Sequence, residues 1–193
     1  DREMITWDAT VARVSGIASD STKLEVHITN GDIDGHPVPK KRLLVNGVPK
    51  RAVDFVGNVH AVLFWPEDLE LVTDSPSIRR KYVDTALVQV DREYRRNLIS
   101  YERGLRQRNR LLDMIREGQA HRSQLVFWNQ LLIKAGGYIT DARNAFFTHL
   151  NIFEIAGIHY EVAYDKSVIS ESRLDQYKDE EVAAKATLVG PHR

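Results

Sequence analysis

The residues with the clearest capacity for chemistry are cations. Arg79, Arg80 and Lys81 form one basic patch, and Arg95, Arg96, Arg103, Arg106 and Arg110 follow within a single helical stretch. From Ser75 to Arg122 there are 12 Lys+Arg against 6 Asp+Glu, which leaves 15 against 21 for the rest of a chain whose net charge is zero. Separations of three and four residues put Arg95, Arg103, Arg106 and Arg110 on much the same side of a helix. Such a face suits sequence-independent contact with the phosphates of a nucleic acid, and nothing near it looks able to read bases. The bland alternative is a solvated helix on which Glu93, Glu102, Asp113 and Glu117 pair with those arginines.

Other chemistries find little support in the residues. The chain has no Cys, so it has no disulfide framework and no thiolate metal site. Its seven His are scattered and form no HExxH or His-x-His pair. Ser, His and Asp occur without a nucleophile-elbow context. No GxxxxGK[ST] run is present to cradle phosphates. Gly136-Gly137 follows a helical pattern rather than a strand, and no Lys comes after it. No apolar run approaches the roughly 20 residues of a membrane helix, and no signal peptide opens the chain, which begins with Asp1.

The elements that would carry these residues are legible from periodicity. Thr10–Ala18 and Thr22–Thr29 alternate as strands around the turn formers Asp20 and Ser21. A third strand is expected at Lys41–Val45. Asn46-Gly47 then predicts a type I′ turn, with the return beginning at Pro49–Arg51. Val59–Phe64 is nearly continuous apolar sequence, as in a strand buried on both faces. Pro66 with Glu67 and Asp68 reads as a helix start.

Ser75-Pro76 opens the next helix as N-cap and first helical residue. Its expected apolar stripe is Ile78, Tyr82, Val83, Ala86 and Val90. Between Arg92 and Arg116, Tyr94, Leu98, Tyr101, Leu105, Arg108, Leu112 and Ile115 form a seam of alternating fours and threes. A buried Arg108 would need an acid or carbonyls, so it is expected to anchor the packing rather than touch a ligand. Gly118 stops this helix. Another, capped by Ser123, is expected over Gln124–Phe153, with Gly136-Gly137 marking a kink or a close helix approach. Ile158–Tyr164 alternates as a strand. Ser170–Glu181 is acidic, with Leu174 and Tyr177 able to reach the core. Thr187–Val189 reads as a short strand before Gly190-Pro191.

Several motifs in order give the chain a specific resemblance. Phe64, Pro66, Glu67, Asp68 and Leu69 come first. Ser75, Pro76, Ser77, Arg79, Arg80 and Asp84 follow. Tyr94, Tyr101, Leu105, Gln107, Arg108, Asn109 and Leu112 come next, and Thr187–Arg193 reads TLVGPHR. In this the chain resembles the RecF family of bacterial DNA-repair proteins, whose head is of the SMC/ABC ATPase class. The match is weak before Lys40 and between Gly118 and Lys185.

The resemblance implies an α/β protein, α+β within these residues: part of an ABC/SMC-type ATPase lobe with an inserted helical lobe. On that reading residues 1–69 and 157–193 belong to the ATPase lobe and 70–156 to the helical one. The Walker A motif would lie upstream, and the signature and Walker B downstream, with HRDD continuing after His192-Arg193. These residues alone are then not expected to hydrolyse ATP. The resemblance further implies ATP and Mg as cofactors of the intact protein, an ATP-dependent homodimer, gapped or single-stranded DNA as partner, RecR- and RecO-like mediators, a role in repair, replication and SOS induction, and a cytoplasmic location. It places Glu67, Asp68, His192 and Arg193 near nucleotide. Two rivals stand beside it: another ABC/SMC-type head with a different task, and a helical protein-docking module without DNA contact.

Overall fold

In the computed structural model the described residues are Arg2–Arg193, and the side chains of Arg2, Glu67 and Ile155 lie outside the described set. The chain divides into two compact units, Asp1–Ala61 and Val62–Arg193.

The first unit is an antiparallel sheet with strand order β1-β2-β5-β6. β1 (Val11–Ile17) pairs with β2 (Lys23–Thr29), β2 with β5 (Lys41–Val45), and β5 with β6 (Val48–Lys50). The register sets Val14 opposite Val26 and Val26 opposite Leu43. Leu24 and Ile28 are buried on one face of the sheet, and Leu44, one residue out of phase with them, is buried on the other. The last hairpin turns on Asn46 (φ 51°) and Gly47 (φ 76°), both in the left-handed region that a type I′ turn requires. Asn46 closes that turn further, its Oδ1 accepting from the Lys23 N–H at 2.8 Å. A two-residue ribbon, β3 (Asp32–Ile33) with β4 (His36–Pro37), sits within the β2–β5 connection. A single helical turn, α1 (Ala52–Phe55), follows β6.

The second unit is helical. A 3₁₀ turn at Pro66–Leu69 leads into α2 (Glu70–Thr73). The main elements are α3 (Pro76–Val90), α4 (Arg92–Arg116) and α5 (Leu125–Leu150). Asp91 separates α3 from α4. Its Oδ1 accepts from the N–H groups of Glu93 and Tyr94 at 2.8 and 2.9 Å, capping a new helix where a continuous one could have run. Gly118, at φ 73°, ends α4 by donating its N–H to the Ile115 carbonyl. A small hairpin, β7 (Glu154–Ile155) with β8 (Ile158–His159), and two short helices, α6 (Glu171–Gln176) and α7 (Lys178–Ala184), complete the unit.

One hydrophobic cluster joins α3, α4 and α5 to the C-terminal segment: Val83 and Leu87, Tyr94 and Tyr101, Leu132, Ala135 and Ile139, then Ile169, Leu174 and Val189. The α4–α5 approach depends on glycine. A Cβ at Gly136 would lie 2.7 Å from Ile169 Cγ2 and 3.0 Å from Tyr101 Cε2. The close approach expected at Gly136-Gly137 therefore falls on Gly136, and Gly137 has open space around it.

Several expectations are corrected. Val59–Phe64 is no strand: it has no regular structure and joins no sheet among the described residues, and Phe64 is 77% exposed. Its apolar run states a need for burial, but strand pairing must come from neighbours. Ile158–Tyr164 forms a strand only over Ile158–His159, because Ala156-Gly157 makes a tight turn and the paired ribbon is two residues long. Thr187–Val189 is buried but not paired in any sheet; side chains satisfy its backbone, as described below. Helix α5 stops at Leu150 rather than Phe153. A 3₁₀ turn, Arg122–Gln124, leads into it; that turn is capped at His121, whose N–H donates to Gln124 Oε1 at 3.0 Å, and Ser123 lies within the turn. Along α3 the buried line is Val83 and Leu87, while Tyr82 and Val90 are exposed.

Candidate functional site

Helix α4 separates its two chemistries by side. At about 100° per residue, Arg96, Arg103, Arg106 and Arg110 fall within roughly 80° of arc, opposite the buried line of Tyr94, Tyr101, Arg108 and Leu112. All four are exposed, and among the described residues none of them forms an ion pair. For these four, the pairing offered by the bland reading is not made among the described residues. Asp113 and Glu117 are engaged by Lys185 instead. Arg95 does not belong to this face. It is buried between α3 and α4, and its Nε donates to the Val88 carbonyl at 2.7 Å. Around the helix it lies within about 20° of Arg106, but it sits near the start of α4, where its guanidinium reaches back to the end of α3.

Arg79, Arg80 and Lys81 stand at the start of α3. Arg79 donates through Nη1 to the carbonyls of Leu71 and Asp74 at 3.2 and 3.0 Å, tying the α2–α3 turn. Lys81 is exposed and Arg80 half-buried.

The inner side of α4 organises the C-terminal segment. Arg108 is 2% exposed and Glu181 is 0% exposed; they meet at 2.6 Å. Arg108 also donates Nε to Asn129 Oδ1 at 2.7 Å and Nη1 to Thr187 Oγ1 at 2.8 Å, so every face of the guanidinium fork is used. Next to it, Asn109 Oδ1 accepts from both the N–H and the hydroxyl of Thr187, at 2.8 and 2.7 Å. Glu181 Oε1 accepts the Leu188 N–H at 2.8 Å. A strand's worth of backbone polarity is therefore satisfied by side chains of α4 and α7, which is why no sheet forms there. The demand for an acid at Arg108 was readable in the sequence; that Glu181 supplies it was not.

A second buried cation, Arg143 of α5, holds the far end of the same segment. It clasps Asp84 through Nη2 at 2.7 and 3.0 Å, donates Nε to Tyr94 Oη at 3.0 Å, and gives Nη1 to the Pro191 carbonyl at 2.7 Å. Burial opposes its charge, but Tyr94 and the Asp84 carboxylate outweigh that and raise its pKa. Burial pushes the phenol of Tyr94 up as well. Sequence reasoning passed over Arg143. The signal was there, since it occupies the apolar line between Ile139 and Phe146 as Arg108 occupies the α4 seam.

The residues expected near nucleotide divide. Asp68 caps the 3₁₀ turn, its Oδ2 accepting the Trp65 N–H at 2.8 Å, which is the helix-start role. The side chain of Glu67 lies outside the described residues. His192 bonds at both ring nitrogens: Nε2 to the Thr187 carbonyl at 3.1 Å and Nδ1 to Tyr101 Oη at 2.8 Å. A carbonyl can only accept, so Nε2 carries the proton and Nδ1 accepts from the phenol. Burial first, and the charges of Arg193, Arg80 and Arg108, depress its pKa, which suits this neutral form. Arg193 donates Nη2 to the Thr187 carbonyl at 2.8 Å. His192 thus shares its surroundings with Arg80, although the sequence reading set one beside nucleotide and the other beside DNA.

Comparison with known proteins bears on what this arrangement is for. No protein-family model matches the chain. A Chloroflexus aurantiacus protein described as DNA replication and repair protein RecF is 33% identical over 233 residues, covering 100% of this chain and 59% of the relative. One from Herpetosiphon aurantiacus with the same description is 37% identical over 179 residues, covering 84% and 46%. A solved structure described as the recombination mediator protein RecF-ATPrS in the RecFOR pathway superposes with a TM-score of 0.84 at 26% identity, covering 100% of this chain and 56% of that one.

The chain belongs to the RecF family. It spans about half the length of the curated RecF proteins it matches. Its mixed helix-and-sheet fold is that of the solved RecF chains, of which another is described as RecF-ATP. Of the residues that carried the RecF resemblance, Asp84, Tyr94, Tyr101, Arg108, Asn109 and the TLVGPHR segment make the buried network, while Phe64, Leu69 and Gln107 are exposed.

ATP and Mg are tested directly by the residues present. The chain has no phosphate loop, and among the described residues no group of three or more His, Asp or Glu could hold a metal ion. These residues do not by themselves fit the nucleotide and its metal, and no step is assigned to either. Among the described residues no helix is long and apolar enough to cross a membrane.

Proposed function

We propose that this chain is the DNA-contacting part of a RecF protein acting in recombinational repair, replication and the SOS response. Helix α4 offers its Arg96, Arg103, Arg106 and Arg110 face to the phosphate backbone. The observation that supports the reading is that these four arginines share one exposed side of α4 and form no ion pair among the described residues. Side chains of this kind bind phosphates without reading sequence, which suits a protein that must act at any gap or stalled fork. Arg79 and Lys81 add charge at the start of α3, while Arg95 serves packing.

In the intact protein the sheet unit and the TLVGPHR segment would belong to an ABC/SMC-type ATPase lobe, and the helices to the inserted second lobe. ATP with Mg would bind to the complete head and drive homodimerisation, and RecR- and RecO-like mediators would act beside it in the cytoplasm. His192 and Arg193 would then lie near the nucleotide-dependent surface.

The test is a salt titration of binding to gapped duplex DNA. We expect log affinity to fall linearly with log salt, and the paired substitution Arg103→Glu with Arg106→Glu to weaken binding and flatten the slope. Binding by the folded variant that matches the unchanged chain would sink the α4 assignment and favour a protein-docking role for this helix.

A further inference from the structure

A second group of cations, apart from the α4 face, gathers at a groove in the helical unit. Two neighbouring clefts, of about 820 and 440 Å³, share Ser77, Arg80, Arg143, Pro191 and His192, so they form one continuous trough. The larger is of a size that ordinarily holds a small organic ligand. Among the described residues the charged lining of the larger is four arginines (Arg79, Arg80, Arg143 and Arg193) and one acid, Asp165, to which the smaller adds Lys81, Asp84 and Glu102.

These cations are not equally committed. Arg143 is neutralised by Asp84. Arg79 and Arg193 each spend one nitrogen on backbone carbonyls and keep further donors. Arg80 is half-buried and makes no hydrogen bond or ion pair among the described residues. Burial, and then the charge of Arg143, hold its pKa below the usual guanidinium range, with Arg193 adding to the effect and Asp84 opposing it. A guanidinium held close to two others gains most from an anion that brings several acceptor oxygens. The start of α3 adds to the field. Ser75 Oγ bonds Ser77 Oγ at 2.6 Å instead of capping the backbone, so the positive helix end has no side-chain cap. Tyr82, 49% exposed, lines the same cleft and offers a ring face.

We propose that this groove binds a phosphate ester, with Arg80 and Arg193 taking the phosphate oxygens and Tyr82 covering the attached sugar or base. The proposal deepens the DNA-binding reading and rests on it, but it uses different residues. The narrower cleft is lined by Leu98, Tyr101 and Leu105, on the side of α4 away from the arginine face. Phosphate esters of a DNA strand and of a nucleotide polyphosphate share this chemistry, and the competitors named below distinguish the two.

The experiment uses the 193-residue chain. Fluorescence anisotropy follows a labelled oligothymidylate, with unlabelled oligothymidylate, sodium tripolyphosphate and inorganic phosphate as competitors. Arg80→Gln with Arg193→Gln should weaken oligothymidylate binding about tenfold and shrink the salt slope by about one per lost phosphate contact. Arg80→Gln alone, at a half-exposed position, should give part of the loss with an unchanged circular dichroism spectrum. Displacement by unlabelled oligothymidylate at far lower concentration than tripolyphosphate identifies strand phosphates; equal displacement by tripolyphosphate identifies a polyphosphate tail. Inorganic phosphate should displace least. Full affinity for every probe in both arginine variants overturns the groove, as does failure of the unchanged chain to bind any probe. If Arg103→Glu with Arg106→Glu loses gapped-duplex binding while the groove variants keep it, the groove falls and the α4 reading stands.

Discussion

Arg108 and Glu181 show what a single pair does here. Both are removed from water, so each is tolerable only because the other is present and each of the three guanidinium nitrogens donates a hydrogen bond. Glu181→Gln keeps an acceptor for Leu188 but leaves the Arg108 charge buried without its counter-ion. It should lower stability by about 3–5 kcal/mol, read as a shift in urea midpoint at unchanged slope. His192 makes a prediction in pH. Its folded pKa lies below the ordinary 6.5, so the unfolded chain takes up a proton that the native ring refuses. The stability it contributes is complete above about pH 6.5 and is lost as pH falls through the depressed native value. His192→Gln should make urea stability flatter between about pH 7 and pH 5 than in the unchanged chain, and an identical pH profile would contradict the assignment.

At the scale of elements, the glycines of α4 and α5 separate packing from propensity. Gly137 faces open space, so Gly137→Ala should raise thermal stability, by about 0.5–1 kcal/mol from helix propensity alone. Gly136→Ala brings the same propensity gain but drives a methyl against Ile169 and the Tyr101 ring, a strain of about 1–3 kcal/mol, and should come out destabilising. The opposite order of the two variants in a thermal melt would refute this packing. What was legible in the sequence follows the same division. Hairpins whose turn residues dictate their geometry, such as Asn46-Gly47, and helices with caps and a sustained seam, such as α4, could be read from local chemistry. Val59–Phe64, Ile158–Tyr164 and Thr187–Val189 could not, because alternation and apolarity report a wish for burial and not the partner that grants it. Thr187 is held by Asn109, 78 residues away, and no local rule reaches that far. The candidate site divides likewise. Arg103, Arg106 and Arg110 follow from helix geometry, but the sequence set Arg95 beside them where the structure exposes Arg96. The burial of Arg95 needed the position of α3, and Arg143 needed Asp84 and Pro191 brought to it.

At the scale of the whole molecule, a net charge of zero says little about affinity for DNA, because the surplus of cations lies within Ser75–Arg122 and is offset elsewhere. If binding followed total charge, any substitution of the same size would weaken it equally. Arg103→Glu with Arg106→Glu and Lys40→Glu with Lys50→Glu change the charge by the same amount, and all four positions are exposed. The first pair lies on the α4 face and the second on the sheet unit. Four phosphate contacts by Arg96, Arg103, Arg106 and Arg110 would give a slope of log affinity against log salt near about −3.6 on duplex DNA. The Arg103/Arg106 variant should lose about half of that slope and the Lys40/Lys50 variant almost none. Equal losses in the two variants would mean that the chain responds to DNA as a diffuse charge, and that α4 has no privileged place in the contact.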